Sequence, residues 1–93
     1  MRNNSSSPTI NNSVISGSDY GIYNDAEDGS YTVLVKNSQI SGSTRTIINY
    51  TGFTTRVGAS QLSGGAVTLG GGTVICAGVY DENYAFSAGP ACP

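Results

Sequence analysis

Two short clusters of acidic residues are the positions best suited to bind a metal ion. One comprises Asp25, Glu27 and Asp28, and the other is the pair Asp81 and Glu82. Carboxylate oxygens are ligands that Ca²⁺ prefers. Their spacing, however, matches neither an EF-hand loop nor the Gly-Gly-x-Gly-x-Asp repeat of calcium-binding solenoids. The sequence therefore predicts solvated acidic loops and no metal site.

Few residues are available for enzymatic chemistry. The chain of 93 residues has no His, and its only cysteines are Cys76 and Cys92, which excludes histidine base catalysis and four-cysteine zinc sites. Arg45 and Arg56 have no column of Asp beside them, as an enzyme acting on acidic polysaccharides would need. The glycines at 70–72 lack the Lys and helix that follow a phosphate-binding loop. We expect neither an enzyme nor a bound cofactor.

The composition favours a single small β domain. Ser, Thr, Asn and Gly supply 43 of the 93 residues, whereas strong helix formers are scarce, so a helical bundle is excluded. The net charge is -2, and the four basic residues are scattered, so no nucleic-acid partner is expected. No apolar run approaches the roughly 18 residues of a membrane span, so we expect a soluble chain without membrane insertion.

An internal repeat is the most informative feature. The heptapeptide at 12–18, Asn-Ser-Val-Ile-Ser-Gly-Ser, recurs at 37–43 and more loosely at 59–65, at offsets of 25 and then 22 residues. Aliphatic residues on either side recur at the same offsets and alternate with polar ones, which is the periodicity of strands. Repeats of about 22 residues built from short β segments indicate a β-solenoid, in which each turn of chain forms one rung. The predicted fold is an all-β, right-handed parallel β-helix of three to four short rungs with a C-terminal cap.

Stacking of the rungs, about 4.8 Å apart, would turn the aligned aliphatic columns into three internal ladders. These ladders are Ile10, Val35 and Val57; Ile15, Ile40 and Leu62; and Ile22, Ile47 and Leu69.

Glycine and asparagine columns accompany the ladders. Gly17, Gly42 and Gly64 are predicted corner residues, because Gly reaches positive φ without steric cost. Asn24 and Asn49 also align. Their side chains either bond between rungs, as in asparagine ladders of cross-β assemblies, or face solvent in turns, and the sequence leaves both alternatives open.

The predicted organisation has three parts: a flexible amino-terminal tail at 1–8, rungs at 9–75 and a cap at 76–93. The offset falls from 25 to 22 residues because 25–30 reads as an inserted surface loop. The segment 79–86 departs from the aliphatic columns and is interpreted as a lid. A disulfide between Cys76 and Cys92 would close a loop of 16 positions and contribute about 3 kcal/mol in the chain-entropy model.

The repeat motif resembles a known family. Together with the segments 56–65 and 76–84 and the final Cys92-Pro93, it resembles the carboxyl-terminal end of bacterial right-handed parallel β-helix repeat proteins, over about residues 9–93. The resemblance implies an exported parent protein, extracellular or at the cell surface. It also implies that residue 1 falls within a longer solenoid.

The first rung would present unpaired strand edges with only Pro8 and the flexible amino-terminal tail to blunt them, which predicts self-association into a homo-oligomer. Aromatic residues predicted at outer or corner positions either form subunit or glycan contacts or simply cover the solenoid. They are Tyr20, Tyr23, Tyr31, Tyr50 and Phe53.

The leading hypothesis is a non-catalytic structural and self-assembly module. The alternative is a module for glycan binding or adhesion to a cell surface, and the third reading is a remnant of a polysaccharide-active β-helix enzyme.

Overall fold

The computed structural model describes residues 1–25, 28–67 and 70–93 and shows only β structure over these ranges. Its strands are, in chain order, β1 (Arg2–Asn4), β2 (Thr9–Asn11), β3 (Val14–Gly17), β4 (Tyr20–Asp25), β5 (Tyr31–Lys36), β6 (Gln39–Gly42), β7 (Arg45–Asn49), β8 (Phe53–Gly58), β9 (Gln61–Gly64), β10 (Thr73–Ala77), β11 (Val79–Asp81) and β12 (Phe86–Ser87). Over the same ranges the chain has no helix long and apolar enough to cross a membrane.

The strands form three sheets that run along the length of the molecule. Sheet 1 has the order β1-β4-β7, sheet 2 the order β10-β8-β5-β2, and sheet 3 the order β12-β11-β9-β6-β3. Every pairing between these strands is parallel except that of β11 with β12. Each turn of chain thus places its strands beside those of the preceding turn. The chain is a parallel β-solenoid of about three turns, which confirms the predicted fold class.

The register between turns is the one that the repeat predicts. In sheet 2, Ile10 lies beside Val35 and Val35 beside Val57. Sheet 3 aligns Ile15, Ile40 and Leu62, and sheet 1 aligns Ile22 with Ile47. Leu69, the predicted third member of the last ladder, lies outside the described residues.

These ladder positions form the core because side chains alternate between the two faces of a strand. Ile22, Val35, Ile40 and Ile47 are fully buried, whereas Ile15 in the first turn is only half-buried. The exposed polar neighbours of the ladder residues face solvent. Each residue therefore packs against its equivalent in the next turn, which ties the stability of each turn to its neighbours.

Asparagines form a second, polar ladder inside sheet 1. Asn24 is fully buried and accepts a hydrogen bond from the Asn3 amide, Nδ2 to Oδ1, at 3.1 Å. Its own Nδ2 donates to Asn49 Oδ1 at 3.4 Å and to Thr55 Oγ1 at 3.2 Å. Thr55 in turn donates to Asn49 Oδ1 at 2.7 Å. The two readings of the asparagine column are thereby decided in favour of bonding between rungs.

A serine column supports the corner between sheets 2 and 3. The backbone N–H of Ser13 donates to Ser38 Oγ, and that of Ser38 donates to Ser60 Oγ, each at 3.1 Å. The hydroxyls of Ser13, Ser38 and Ser60 each donate to the backbone carbonyl two residues earlier in the chain. Ser38 and Ser60 are buried, so the column pairs backbone groups that would otherwise be unsatisfied away from water.

The left-handed residues at this corner also form a column, and only one of them is glycine. Asn12, Asn37, Ala59 and Gly78 have φ values of 50°, 50°, 46° and 66°. Asn tolerates this conformation better than other side chains, and Gly has no penalty there. Ala59 is therefore the strained member of the column.

Glycine is required at two of the three predicted corner positions for lack of space and not, as predicted, for positive φ. Gly64 has a φ of 109°, but Gly17 and Gly42 do not have positive φ. A Cβ at Gly17 would lie 1.8 Å from the carbonyl oxygen of Tyr20, and one at Gly42 would lie 2.3 Å from that of Arg45. These two glycines are needed because the backbone turns back on itself too closely for any side chain.

Three predictions at the ends of the chain need correction. The predicted flexible tail, 1–8, contains β1, which pairs with β4 because Asn3 continues the asparagine ladder. The segment 79–86 was predicted to leave the columns, yet β11 pairs with β9 and places Asp81 beside Leu62. The boundary predicted between 75 and 76 falls within β10, where Cys76 lies beside Val57.

The disulfide between Cys76 and Cys92 is present. Cys76 is fully buried at the end of the ladder that begins with Ile10, and its backbone N–H donates to the carbonyl of Pro90 at 2.9 Å. The disulfide therefore ties the last residues of the chain to the core.

Replacing Asn24 with Ala should lower the free energy of unfolding by about 1–3 kcal/mol, because the buried amides and hydroxyls around it lose their partners. Urea denaturation of the purified chain measures the change. Asn11→Ala is the matched control, since Asn11 is exposed at the outer face of β2 and its loss should change stability by less than about 0.5 kcal/mol. Equal effects of the two substitutions would contradict the polar ladder.

Ala59→Gly should stabilise the chain by about 0.5–1 kcal/mol, because relief of the left-handed strain outweighs the extra freedom of Gly in the unfolded state. Ala77→Gly is the control, because Ala77 is exposed in β10 and does not have positive φ. This substitution should lower the free energy of unfolding by about 0.5–1 kcal/mol. Thermal melts of both variants test the opposite signs, and destabilisation by both would show that Ala59 is not strained.

Candidate functional site

Three tyrosines meet on the outer face of sheet 1. Tyr20 and Tyr23 have ring centroids 5.7 Å apart, and Tyr23 and Tyr50 have centroids 5.6 Å apart in an edge-to-face arrangement. Tyr23 faces outward because Ile22 and Asn24 on either side of it face the core. Tyr20 and Tyr50 are each 40% exposed. The arrangement, here called the tyrosine face, offers aromatic surface together with hydroxyl groups.

A cation and a carboxylate border this face. The guanidinium of Arg2 lies 5.4 Å from the ring centroid of Tyr23, within the range of a cation–π contact, and forms an ion pair with Asp25 at 3.3 Å. Both contacts follow from the pairing of β1 with β4, which places Arg2 beside Tyr23. Because the Arg2 side chain is largely exposed, we assign this ion pair little stabilising effect.

The environment of Tyr23 opposes loss of its proton. Hydrogen bonding with Tyr50 raises the pKa of the Tyr23 hydroxyl above its ordinary value, desolvation and the Asp25 carboxylate add to the shift, and Arg2 opposes it. Tyr23 therefore stays protonated throughout the physiological range, with its hydroxyl engaged with Tyr50.

A shallow concavity of about 430 Å³ lies on this side of the molecule, lined by Met1, Arg2, Tyr20 and Tyr23. Aromatic rings with neighbouring hydroxyl and guanidinium donors suit the apolar faces and hydroxyl groups of sugars. They suit contacts between protein subunits equally well, since interfaces are enriched in Tyr and Arg.

The other two aromatics predicted as contacts lie elsewhere. Phe53 is 1% exposed and belongs to the core, which corrects its predicted outer position. The alternation of β8 turns Phe53, Thr55 and Val57 inward together. Tyr31 packs against Phe53, with centroids 5.3 Å apart, and is half-buried. The structure thus brings together three of the five predicted contact residues.

The acidic clusters have structural partners. Asp25 pairs with Arg2, and Asp81 Oδ1 accepts hydrogen bonds from the backbone N–H groups of Asn83 and Ala85, both at 2.9 Å. Within the described ranges no group of three His, Cys, Asp or Glu side chains is placed to hold a metal ion. Glu27 lies outside those ranges.

The first turn exposes strand edges. Strands β1, β2 and β3 each pair with a strand on one side only, as far as the described residues show. Ser13 uses its N–H and C=O toward the next turn, so the N–H and C=O groups of Val14 and Ser16 point the opposite way. Val14 is also 75% exposed. We call this surface the first-turn edge.

At the opposite end, later segments lie against the sheet edges. β12 pairs with β11, the carbonyl of Pro90 accepts from β10, and Gly71 bridges to Tyr50. A cavity of about 280 Å³ there is lined by Ala66, Val67, Val74, Ala91, Cys92 and Pro93. The two ends of the solenoid therefore differ: backbone groups at the carboxyl-terminal end have hydrogen-bond partners, whereas strand edges at the first turn are exposed.

Sequence reasoning did not include Arg2 in the site because it assigned residues 1–8 to a tail. The signal that could have found it is the asparagine column, since Asn3 precedes Asn24 by 21 residues, close to the length of one turn.

Comparisons with protein-family models, with curated proteins and with solved structures find no match for this chain.

Proposed function

We propose that the chain is a non-catalytic structural module that self-associates through its first-turn edge into a homo-oligomer. The observation that carries this proposal is the edge itself, because unpaired N–H and C=O groups of an exposed strand pair readily with another strand. Charged side chains and prolines usually block such edges, but β3 has the sequence Val-Ile-Ser-Gly and contains neither.

The packing at this edge also supports association. The half-buried Ile15 and the exposed Val14 occupy β3, at the end of a ladder whose later members are buried. Another rung placed against the edge would continue both the hydrogen bonding and the aliphatic ladder. Because solenoid repeats gain stability from each neighbour, such a contact would stabilise the first turn as well as join two chains.

The assignment of the chain to the carboxyl-terminal part of an exported bacterial β-helix protein belongs to the same proposal. It rests on the resemblance of the repeat and of the closing segment, and the disulfide agrees with an oxidising extracellular environment. In this reading the segment after β11 acts as the cap of the solenoid, with the disulfide holding it in place.

Ser16→Pro should weaken self-association at least about tenfold, because Pro removes the outward N–H of β3 and its ring obstructs a partner strand. Ser16→Thr is the matched control, since it keeps that N–H. Sedimentation velocity over a concentration series measures the change. Val14→Lys tests the same edge with a charge, in case Pro perturbs β3. A chain that is monomeric at all concentrations, or edge variants that associate like the unmodified chain, would refute the proposal.

The tyrosine face supports a second candidate function, the binding of surface glycans. Tyr20, Tyr23 and Arg2 present ring faces and hydrogen-bond donors in one shallow concavity, and Tyr50 packs against Tyr23 beside it. Sugar rings stack their C–H faces on aromatic rings while neighbouring polar groups bind their hydroxyls, so the residue types suit such a ligand.

Tyr23→Ala should abolish any glycan binding, because Tyr23 contacts both other rings of the face. A glycan array followed by calorimetry of the strongest ligand measures it. Tyr84→Ala is the control, since Tyr84 is 76% exposed and lies outside this face. If no glycan binds the unmodified chain, this second function is wrong, and loss of self-association by Tyr23→Ala relative to the unmodified chain would assign the face to subunit contacts.

A further inference from the structure

The outer face of sheet 2 differs in charge from the rest of the molecule. Its strands β2, β5, β8 and β10 contain no Asp or Glu, yet they carry Lys36 and Arg56, two of the four basic residues. Both cations are exposed, and neither has an ion-pair partner among the described residues. The chain has a net charge of -2, so this face is a local positive surface on an acidic protein.

Aliphatic side chains surround the two cations. The register aligns Leu34, Arg56 and Ile75 in one outward column and Lys36, Gly58 and Ala77 in the next. Gly58 has no side chain, and a depression of about 430 Å³ lies over these two columns. The face therefore combines an apolar recess with two positive charges, whereas the tyrosine face has aromatic rings.

The complementary features are found together in residues 79–87, here called the C-terminal hairpin, which comprises β11, β12 and the turn between them. Phe86 is 68% exposed and Tyr84 is 76% exposed. Glu82 is exposed beside them, and Asp81 is fixed by its backbone hydrogen bonds. Tyr84 stacks on Tyr80, with ring planes 8° apart, which holds its ring in place.

We propose that the C-terminal hairpin of one copy docks on the outer face of sheet 2 of a second copy. An aromatic side chain of the hairpin enters the recess over Gly58, and Glu82 lies against Arg56 and Lys36. Aromatic anchors in pockets supply most of the affinity of protein interfaces, and complementary charges orient the partners. Tyr84 and Phe86 both adjoin Tyr80, and contiguous exposed aromatic surface commonly marks an interaction site.

The contact joins two different surfaces, so it is heterologous. Each copy has one hairpin and one sheet 2 face, and association through them therefore continues from copy to copy unless the geometry closes into a ring. The contact goes beyond the proposed function because it uses neither β3 nor the first-turn edge, so one of the two contacts can fail without the other.

Charge reversal tests this contact in the Ser16→Pro background, where the first-turn edge is blocked. Arg56→Glu and Glu82→Arg should each weaken association about tenfold or more at low salt, since each places like charges together. Arg45→Glu is the matched control for Arg56→Glu, because it makes the same change in net charge at an exposed position outside sheet 2. Mixing the two reversed variants should restore association, because the hairpin of each then meets a face of opposite charge.

Sedimentation equilibrium at low and high salt gives the readout, and a Phe86→Ala variant tests the apolar part without changing charge. The proposal is overturned if the Ser16→Pro chain is monomeric at every concentration. It is likewise overturned if Arg45→Glu weakens association as much as Arg56→Glu, or if mixing restores nothing. If Ser16→Pro by itself abolishes association, and neither salt nor charge reversal changes association, the first-turn edge is the interface. The hairpin contact is then rejected.

Discussion

Equivalent residues in successive turns must lie directly beside one another, and the rest of the structure depends on this constraint. A shift of one residue would turn every ladder side chain to the opposite face. The aliphatic ladders alone would tolerate many similar side chains, but the asparagine and serine columns require a particular atom opposite each donor. Asn24 is fully buried and bonds to both neighbouring turns, so a slipped register would leave its amide unsatisfied. The polar columns thus select one register from those that hydrophobic packing alone would allow.

Much of this arrangement is readable in the sequence because a strand has a fixed side-chain period. The aliphatic columns and the fold class follow from the repeat, since three copies of one motif carry the same alternation. The asparagine column could be located but not interpreted, because a turn asparagine and a ladder asparagine have the same neighbours in sequence. Phe53 was misplaced because the predicted ladder was not extended before Val57, although the same alternation turns Phe53 and Thr55 inward as well.

The parts that sequence reasoning missed lie where the spacing of the repeat changes. From β9 to β11 the offset falls to 19 residues, and an acid, Asp81, takes the place of an aliphatic residue beside Leu62. At the other end Asn3 has no heptapeptide near it, and only its distance from Asn24 relates it to the repeat. The candidate sites were correspondingly incomplete, because the three tyrosines were identified individually while Arg2 joined them only through β1.

Stacking in one dimension also bears on how such a chain changes length. Among the described residues each turn pairs with the turns before and after it, so an added turn would extend the aliphatic ladders of the core without rearranging them. Duplication of one complete turn, from an asparagine at one left-handed corner to the residue before the next, would present the same ladders to both neighbours. Duplication or deletion of one complete turn would therefore change the length of the solenoid while leaving its two ends, and the surfaces that they carry, unaltered.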